Sequence, residues 1–263
     1  MTAPNPRPHV LVTGAARPRI GRAIANSLAE AGYTVLAQTR RCESSYREGL
    51  HERVVVLDHS IDSPEAARSL ISSAAARAVA DCGWLAGVVA NAAAFDYDLP
   101  TSRSDHCLTE HMRINLVSPL AAWRELLHQH ETYTSLVGGE CLPAFYTVIL
   151  DQVVRNPNTD YFSYAISKGA WTGVLRQLAV CGAPFVRTNA ILPGLVLPGG
   201  AMTAEAFSRQ HAQTPLRIGP TPEDIAGACE FFARSRAVSG EEIAVDGGRH
   251  FAPSFRDPAF IPC

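Results

Sequence analysis

Short apolar runs alternate with segments of helical periodicity along the whole chain, and that alternation narrows the fold more than any other feature. His9–Thr13, Tyr33–Thr39, Arg53–Asp58, Leu85–Ala90, Ala144–Leu150 and Val186–Leu192 read as buried strands, and Glu242–Val245 as a last short one. Between them lie helices. Ile20, Ala23, Ile24 and Leu28 share one face of Arg19–Ala31, which Gly32 stops. Ser63-Pro64-Glu65 opens a helix to about Ala80, with a capping serine, a proline in the first turn and an early acid. Thr109–His128, Tyr161–Cys181 and a segment from Thr221 to about Arg234 complete the set. Strands covered on both faces are apolar throughout rather than alternating. The pattern predicts an α/β fold: a single Rossmann-type doubly wound parallel sheet with helices on both faces.

Composition removes several functional classes. Hydrophobic residues make up 47% of the 263 positions, enough for a sizeable core. Formal net charge is −2, which argues against nucleic acid or a membrane surface as the main partner. No apolar run is long enough to span a bilayer. Met1 to Pro8 holds three prolines and no apolar stretch of the kind a secretory signal needs. The seven cysteines are scattered without CxxC pairs, so a reducing cytoplasm and no metal site are expected. Of the 23 basic residues, 22 are arginine, and Lys168 is the lone lysine. A chain that keeps a single compact ammonium invites the question of what it is for.

Sheets of this kind bind ligands beyond the carboxyl ends of their strands, so the residues after each strand are the candidates. The first strand leads into Thr13-Gly14-Ala15-Ala16-Arg17-Pro18-Arg19-Ile20-Gly21 and then a helix. Small residues here let backbone N–H groups and a helix N-terminus approach a pyrophosphate, or simply make a tight turn. The second strand is followed by Arg40 and Arg41, where an arginine suits the 2′-phosphate of NADP and an acid would suit NAD. Asp58, at the end of the third strand, is counted with the cofactor contacts. Asn91 can pin the end of the fourth strand, and Ala92 and Ala93 leave room for a flat ligand. Phe95 either stacks on a ring or fills core, and taken alone core is favoured.

Tyr164 and Lys168 stand at i and i+4, on one face of a helix. A phenol titrates near ~10, too high for efficient proton exchange at neutrality, and a nearby ammonium is expected to lower it. With this pair the chain resembles the short-chain dehydrogenase/reductase family over nearly its whole length. Thr13-Gly14…Gly21 resembles its cofactor turn, Asn91-Ala92-Ala93 its Asn-Ala-Gly segment, and Asn115 its helix asparagine. Tyr164…Lys168 resembles the catalytic pair, Pro193-Gly194 the turn after the sixth strand, and Asp246-Gly247-Gly248 the C-terminal signature. Where most members have a serine, 13 residues before the tyrosine, this chain has Asp151. That aspartate resembles the pteridine reductases, including their bacterial dihydromonapterin/dihydrofolate reductase branch. So do Arg19-Ile20-Gly21, Phe95 at the position of the aromatic that sandwiches a pterin, Arg40 at the NADPH-selecting position, and the ending through Arg249-His250.

The resemblance implies one domain over 1–263, with a cofactor-binding core at 8–192, a substrate loop at 193–220 and a C-terminal tail at 249–263. It implies an NADPH-dependent reductase of a C=N bond in a pterin-like substrate, cytoplasmic and homo-oligomeric as a dimer or tetramer. Asp151, Tyr164, Lys168 and Asn115 are its expected catalytic residues, Asn115 by holding a water behind Lys168. Gly14, Arg19, Ile20, Gly21, Arg40, Asp58, Asn91, Ala92, Tyr164, Lys168, Pro193 and Gly194 are the expected cofactor contacts. Phe95, Asp151, Tyr164 and one of Arg17 and Arg19 face the substrate; one extra residue in the turn leaves the two arginines in competition. Ala93 replaces the family's serine and removes a polar contact. A reductase of another imine or of a ketone, and a cofactor-sensing protein without catalysis, are the alternatives. Retention of Tyr164 and Lys168 speaks against the sensor. The apolar tail residues Phe251, Phe255, Phe260 and Ile261 call for burial across a subunit interface or over the site.

Overall fold

The computed structural model describes residues 7–41, 43–137, 142–199, 202–252, 254–257 and 260. Among these, one parallel sheet is built from β1 (Pro8–Val12), β2 (Thr34–Thr39), β3 (Val54–Asp58), β4 (Trp84–Ala90), β5 (Ala144–Ile149), β6 (Val186–Pro193) and β7 (Glu242–Val245), in the order β3-β2-β1-β4-β5-β6-β7. Side chains alternate faces along a strand, yet both faces are apolar here because both are covered. Val10 and Val12 pack with Ile24, Leu28 and Phe232 beneath α1 (Ile20–Glu30) and α7 (Pro222–Arg234). Leu11 packs oppositely, with Leu70, Leu126 and Trp171 of α2 (Pro64–Ala80), α4 (Ser118–Val137) and α5 (Phe162–Gly182).

Local signals set several boundaries as expected. Ser63 Oγ accepts from the Ala66 amide at 3.1 Å and starts α2 at Pro64. Thr221 and Asp224 form a reciprocal capping box at the start of α7. The expected single helix Thr109–His128 is different. It begins earlier, as α3 (His106–Met112), passes through a π-helical turn at Arg113–Val117, and continues as α4 to Val137. One extra residue in the turn leaves apolar periodicity almost intact, so the pattern does not register it; such turns often sit at functional sites. A further helix, α6 (Ala204–Ala212), lies within the expected substrate loop, started by Thr203 Oγ1 accepting from the Ala206 amide at 3.2 Å. No helix among the described residues is long and apolar enough to cross a membrane.

The strand order reverses between β1 and β4. The loops on either side of such a switch point part and leave a crevice at the carboxyl edge of the sheet.

Candidate active site

A cleft of about 1050 Å³ opens along that edge. This lies at the upper end of what ligand pockets occupy, enough for a dinucleotide and a second small molecule. Its floor is a clamp between β1 and β4. Thr13 Oγ1 accepts from the amides of Asn91 and Ala92, both at 3.0 Å, and Asn91 Nδ2 donates back to the Thr13 carbonyl at 2.9 Å. The expected pin at Asn91 is therefore made. Gly14 has φ +64°, and a Cβ on Gly21 would lie 2.5 Å from the Gly14 carbonyl oxygen and 2.6 Å from Asn91 Nδ2. Only glycines let this turn close so tightly on the sheet edge. The open space above it fits a pyrophosphate.

Both candidate arginines of the turn line the cleft, but they differ in their partners. Arg17 Nε donates to the buried Tyr46 hydroxyl at 2.8 Å, which in turn donates to Glu43 Oε1 at 3.0 Å. The Tyr46 contact holds the Arg17 guanidinium above its ordinary value. Arg19 lines the cleft, is exposed and makes no side-chain hydrogen bond among the described residues. Arg40 lines the cleft beyond β2 and is likewise exposed. Ile20, Gly21, Ala92, Pro193 and Gly194 also line it. Asp58 does not: it ends β3 in register with Thr39, and Ser60, Ile61 and Asp62 form that wall instead. Gln38 had no sequence signal, yet its Oε1 accepts from the Gly14 amide at 2.9 Å and shapes the turn.

The reactive end gathers Asp151, Tyr164 and Lys168. Asp151 follows β5 and caps a short turn of helix, its Oδ1 accepting from the Val153 amide at 2.8 Å. The Tyr164 hydroxyl donates to Asp151 Oδ2 at 3.0 Å. Burial pushes the Asp151 carboxyl up to about 6, against the opposing pull of the Val153 amide, Tyr164 and Lys168. Burial also pushes Lys168 down to about 8, which still leaves it cationic at neutrality.

One expectation needs correction here. Tyr164 is not lowered: burial and the adjacent Asp151 carboxylate raise it well above the ordinary phenol value. Lys168 does not offset this, because its ammonium donates to the Ile149 carbonyl at 2.7 Å and stands 5.7 Å from the centre of the tyrosine ring. Tyr164 is thus a neutral phenol, a proton donor rather than a phenolate. Asn115 sits on the π turn. Its side chain exchanges hydrogen bonds with the Ala94 backbone (2.7 and 3.0 Å) and donates to Ser167 Oγ at 3.0 Å. Its carbonyl accepts from Trp171 Nε1 at 2.8 Å. Asn115 clamps the loop after β4 to α5.

An aromatic slot faces the dyad. Phe95 is 52% exposed, so it is not core. It stacks on Tyr161 (centroids 4.2 Å, 17°) and meets Tyr164 edge-on at 4.6 Å. Tyr161 adopts a left-handed backbone, φ +50°, just before α5. Strain of this kind is retained where surrounding structure enforces it, often at a site. Sequence reading missed Tyr161, although its place three residues before Tyr164 puts the two on neighbouring faces. The tail divides. Phe260 lies over the slot, 5.2 Å from Tyr97 and 5.9 Å from Tyr161, within the same chain. Phe251 and Phe255 stay exposed, and Ile261 lies outside the described residues.

A doubly wound sheet with a glycine turn at its switch point and a buried tyrosine–lysine pair across the cleft defines a dinucleotide-dependent oxidoreductase. The chain belongs to the short-chain dehydrogenase/reductase family, residues 14–250 matching the family described as enoyl-(acyl carrier protein) reductase. A dihydromonapterin reductase of Klebsiella pneumoniae is 28% identical over 251 residues, covering 95% of this chain and 99% of the relative. The crystal structure of FolM alternative dihydrofolate reductase 1 from Brucella suis in complex with NADP is 30% identical, with a TM-score of 0.78 over 94% of this chain and 96% of that one. A 7α-hydroxysteroid dehydrogenase structure, 22% identical with a TM-score of 0.79, shares the fold.

Proposed function

We propose that this protein is an NADPH-dependent reductase of a C=N bond in a dihydropterin-like heterocycle, with Asp151 and Tyr164 as its proton-supplying dyad. The observation that carries this reading is the Asp151 carboxylate at 3.0 Å from the Tyr164 hydroxyl, beside the half-exposed ring of Phe95. Reduction of C=N to CH–NH needs a hydride on carbon and a proton on nitrogen. Bound in the cleft, NADPH supplies the hydride. Tyr164 holds the proton at its hydroxyl, and Asp151, titrating at about 6, can refill it or protonate the ring nitrogen itself. A carbonyl needs only a hydroxyl donor; a basic nitrogen is better served by an acid. The relatives' pterin and folate names favour the same substrate class. The test is NADPH oxidation with dihydrobiopterin, dihydromonapterin, dihydrofolate and a panel of ketones. Turnover of ketones alone refutes the assignment.

Arg40 is assigned to the 2′-phosphate and Gly14, Arg19 and Gly21 to the pyrophosphate. A charge-assisted contact is worth roughly 1.5–3 kcal/mol, about one to two decades in affinity. Arg40→Ala is expected to lose that much NADPH affinity and leave NADH nearly unchanged in equilibrium titrations. A native protein that binds both cofactors equally would remove the assignment.

Phe95 is assigned to one face of the substrate ring. Stacking adds ~0.5–1.5 kcal/mol beyond burial and fixes the ring for transfer. Phe95→Ala is expected to lower kcat/KM for the pterin several-fold or more, while NADPH affinity and Tm barely move. A loss of ~3–5 kcal/mol in stability, the usual cost of truncating a core phenylalanine, would contradict this. We also assign the protein to the cytoplasm, as a dimer or tetramer. The exposed Leu216, Ile218, Phe251 and Phe255 support a surface covered by another subunit.

A further inference from the structure

We infer that His111 is a positioning residue of the substrate slot: its buried imidazole holds the Asp96 amide and so sets the ring of Phe95, one residue earlier, beside Tyr164. What the slot receives rests on the reductase reading; that His111 fixes the slot does not.

Phe95 lies on the irregular loop between β4 and α3, with no strand or helix to hold it. A ring on such a loop is placed only as well as the backbone beneath it. Two side chains of the helical segment that follows reach back to that backbone. Asn115 takes the residue before Phe95, through the Ala94 amide and carbonyl. His111, four positions earlier, takes the residue after it: Nε2 accepts from the Asp96 amide at 3.1 Å. Among the described residues this is the one backbone hydrogen bond in the span from Phe95 to Tyr97. Beyond that span Asp98 is held by α5, its Oδ1 accepting from the Ser163 amide at 2.9 Å and its carbonyl from the Phe162 amide at 3.2 Å. The ends of the loop are thus fastened elsewhere, and His111 supplies the hold where Phe95 stands.

The two partners fix which way round the imidazole sits. The Cys107 carbonyl can only accept, so Nδ1, 2.7 Å away, carries the proton. The Asp96 amide can only donate, so Nε2 is bare. Turning the ring over would set carbon against both partners, and the side chain is fully buried, with no water to replace them. The imidazole also meets Tyr164 edge-on, centroids 6.2 Å apart at 76°. Phe95 meets the same phenol edge-on at 4.6 Å. Imidazole and phenyl therefore pack against one tyrosine, and the Asp96 bond ties the place of Phe95 to the proton donor. A misplacement of about 1 Å in such a wall can cost ~10²-fold in rate.

The test compares His111→Gln with His111→Asn. Glutamine carries its terminal oxygen as far out as Nε2 and can still accept from the Asp96 amide. Asparagine reaches only as far as Nδ1 and keeps the Cys107 contact alone. Hydrogen exchange over residues 94–97 is expected to quicken about tenfold or more in His111→Asn and to stay within about threefold of wild type in His111→Gln. With NADPH saturating, kcat/KM for dihydrobiopterin is expected to fall about tenfold in His111→Asn and to return to within about threefold in His111→Gln, with NADP⁺ affinity unchanged in both. Because His111 acts through Phe95, adding His111→Asn to Phe95→Ala should cost less than about twofold more. Equal exchange or equal kcat/KM in the two single variants, whether both kept or both lost, overturns the inference. So do losses that multiply in the double variant. A wild type that reduces no dihydropterin sinks the reductase reading alone; the exchange contrast, which needs no turnover, then decides the role of His111 by itself.

Discussion

Tyr164→Phe is expected to lose about 10²–10⁴ of kcat while keeping its fold and its NADPH affinity. The factor is the usual contribution of a general acid. The substitution removes the hydroxyl that donates to Asp151, on a ring that borders the aromatic slot. The ring is buried, and its edge contact with Phe95 does not depend on the oxygen, so little structural change should follow. Lys168→Met should also lose most turnover, by removing the buried ammonium that lines the cleft beside Tyr164. Single-turnover kinetics with NADPH prebound separate the chemical step from binding. Full pterin turnover in Tyr164→Phe would mean that another group supplies the proton.

Asp151→Asn is expected to move activity and stability in opposite directions. Reduction consumes a proton, so with wild type kcat/KM should rise as pH falls, steeply above about 7, and level off below about 5, following a carboxyl that titrates at about 6. The variant should be slow and lack this limb. Stability follows from the same shift. The folded carboxyl binds its proton more tightly than the unfolded one. Its contribution to stability is therefore full below about pH 4 and is lost as pH rises through about 6. At pH 7 the ionised, half-buried carboxylate costs about 1–3 kcal/mol, which the amide removes. The variant's Tm should exceed wild type by several degrees at pH 7 and match it near pH 4. Asp151→Ser should harm pterin reduction and leave room for weak ketone reduction. A variant less stable at pH 7 would mean that the carboxylate is held by its bonds to Val153 and Tyr164 more than it is penalised by burial.

The sheet and most helix ends were legible because they rest on local chemistry. The Ser63 and Thr221 caps are written in four consecutive residues, and short apolar runs such as Val10–Val12, bounded by turn residues, read as strands covered on both sides. The site was legible as far as spacing carries. Tyr164 and Lys168 had to share a face, but spacing does not say that the ammonium would be drawn to the Ile149 carbonyl, and so the direction of the tyrosine shift was misread. Arg17 and Arg19 look alike in sequence because the partner that tells them apart, Tyr46, is 29 positions from Arg17. Phe95 was ambiguous for the same reason: its exposure and its stack on Tyr161 are set by a left-handed turn that no periodicity encodes. The C-terminal segment is held by an ion pair between Asp160 and Arg256, 96 positions apart, which has no local signature at all.

The most direct measurement of the central claim is the fate of the transferred hydride. NADPH carrying deuterium at the reactive C4 position is mixed with the protein and a 7,8-dihydropterin at pH 6, and the product is read by mass spectrometry and NMR. The account predicts one deuterium on the former C=N carbon of the tetrahydropterin, in a reaction that slows by about 10²–10⁴ in Tyr164→Phe. Unlabelled dihydropterin recovered intact, with deuterium instead on the carbinol carbon of a ketone supplied in parallel, would contradict it.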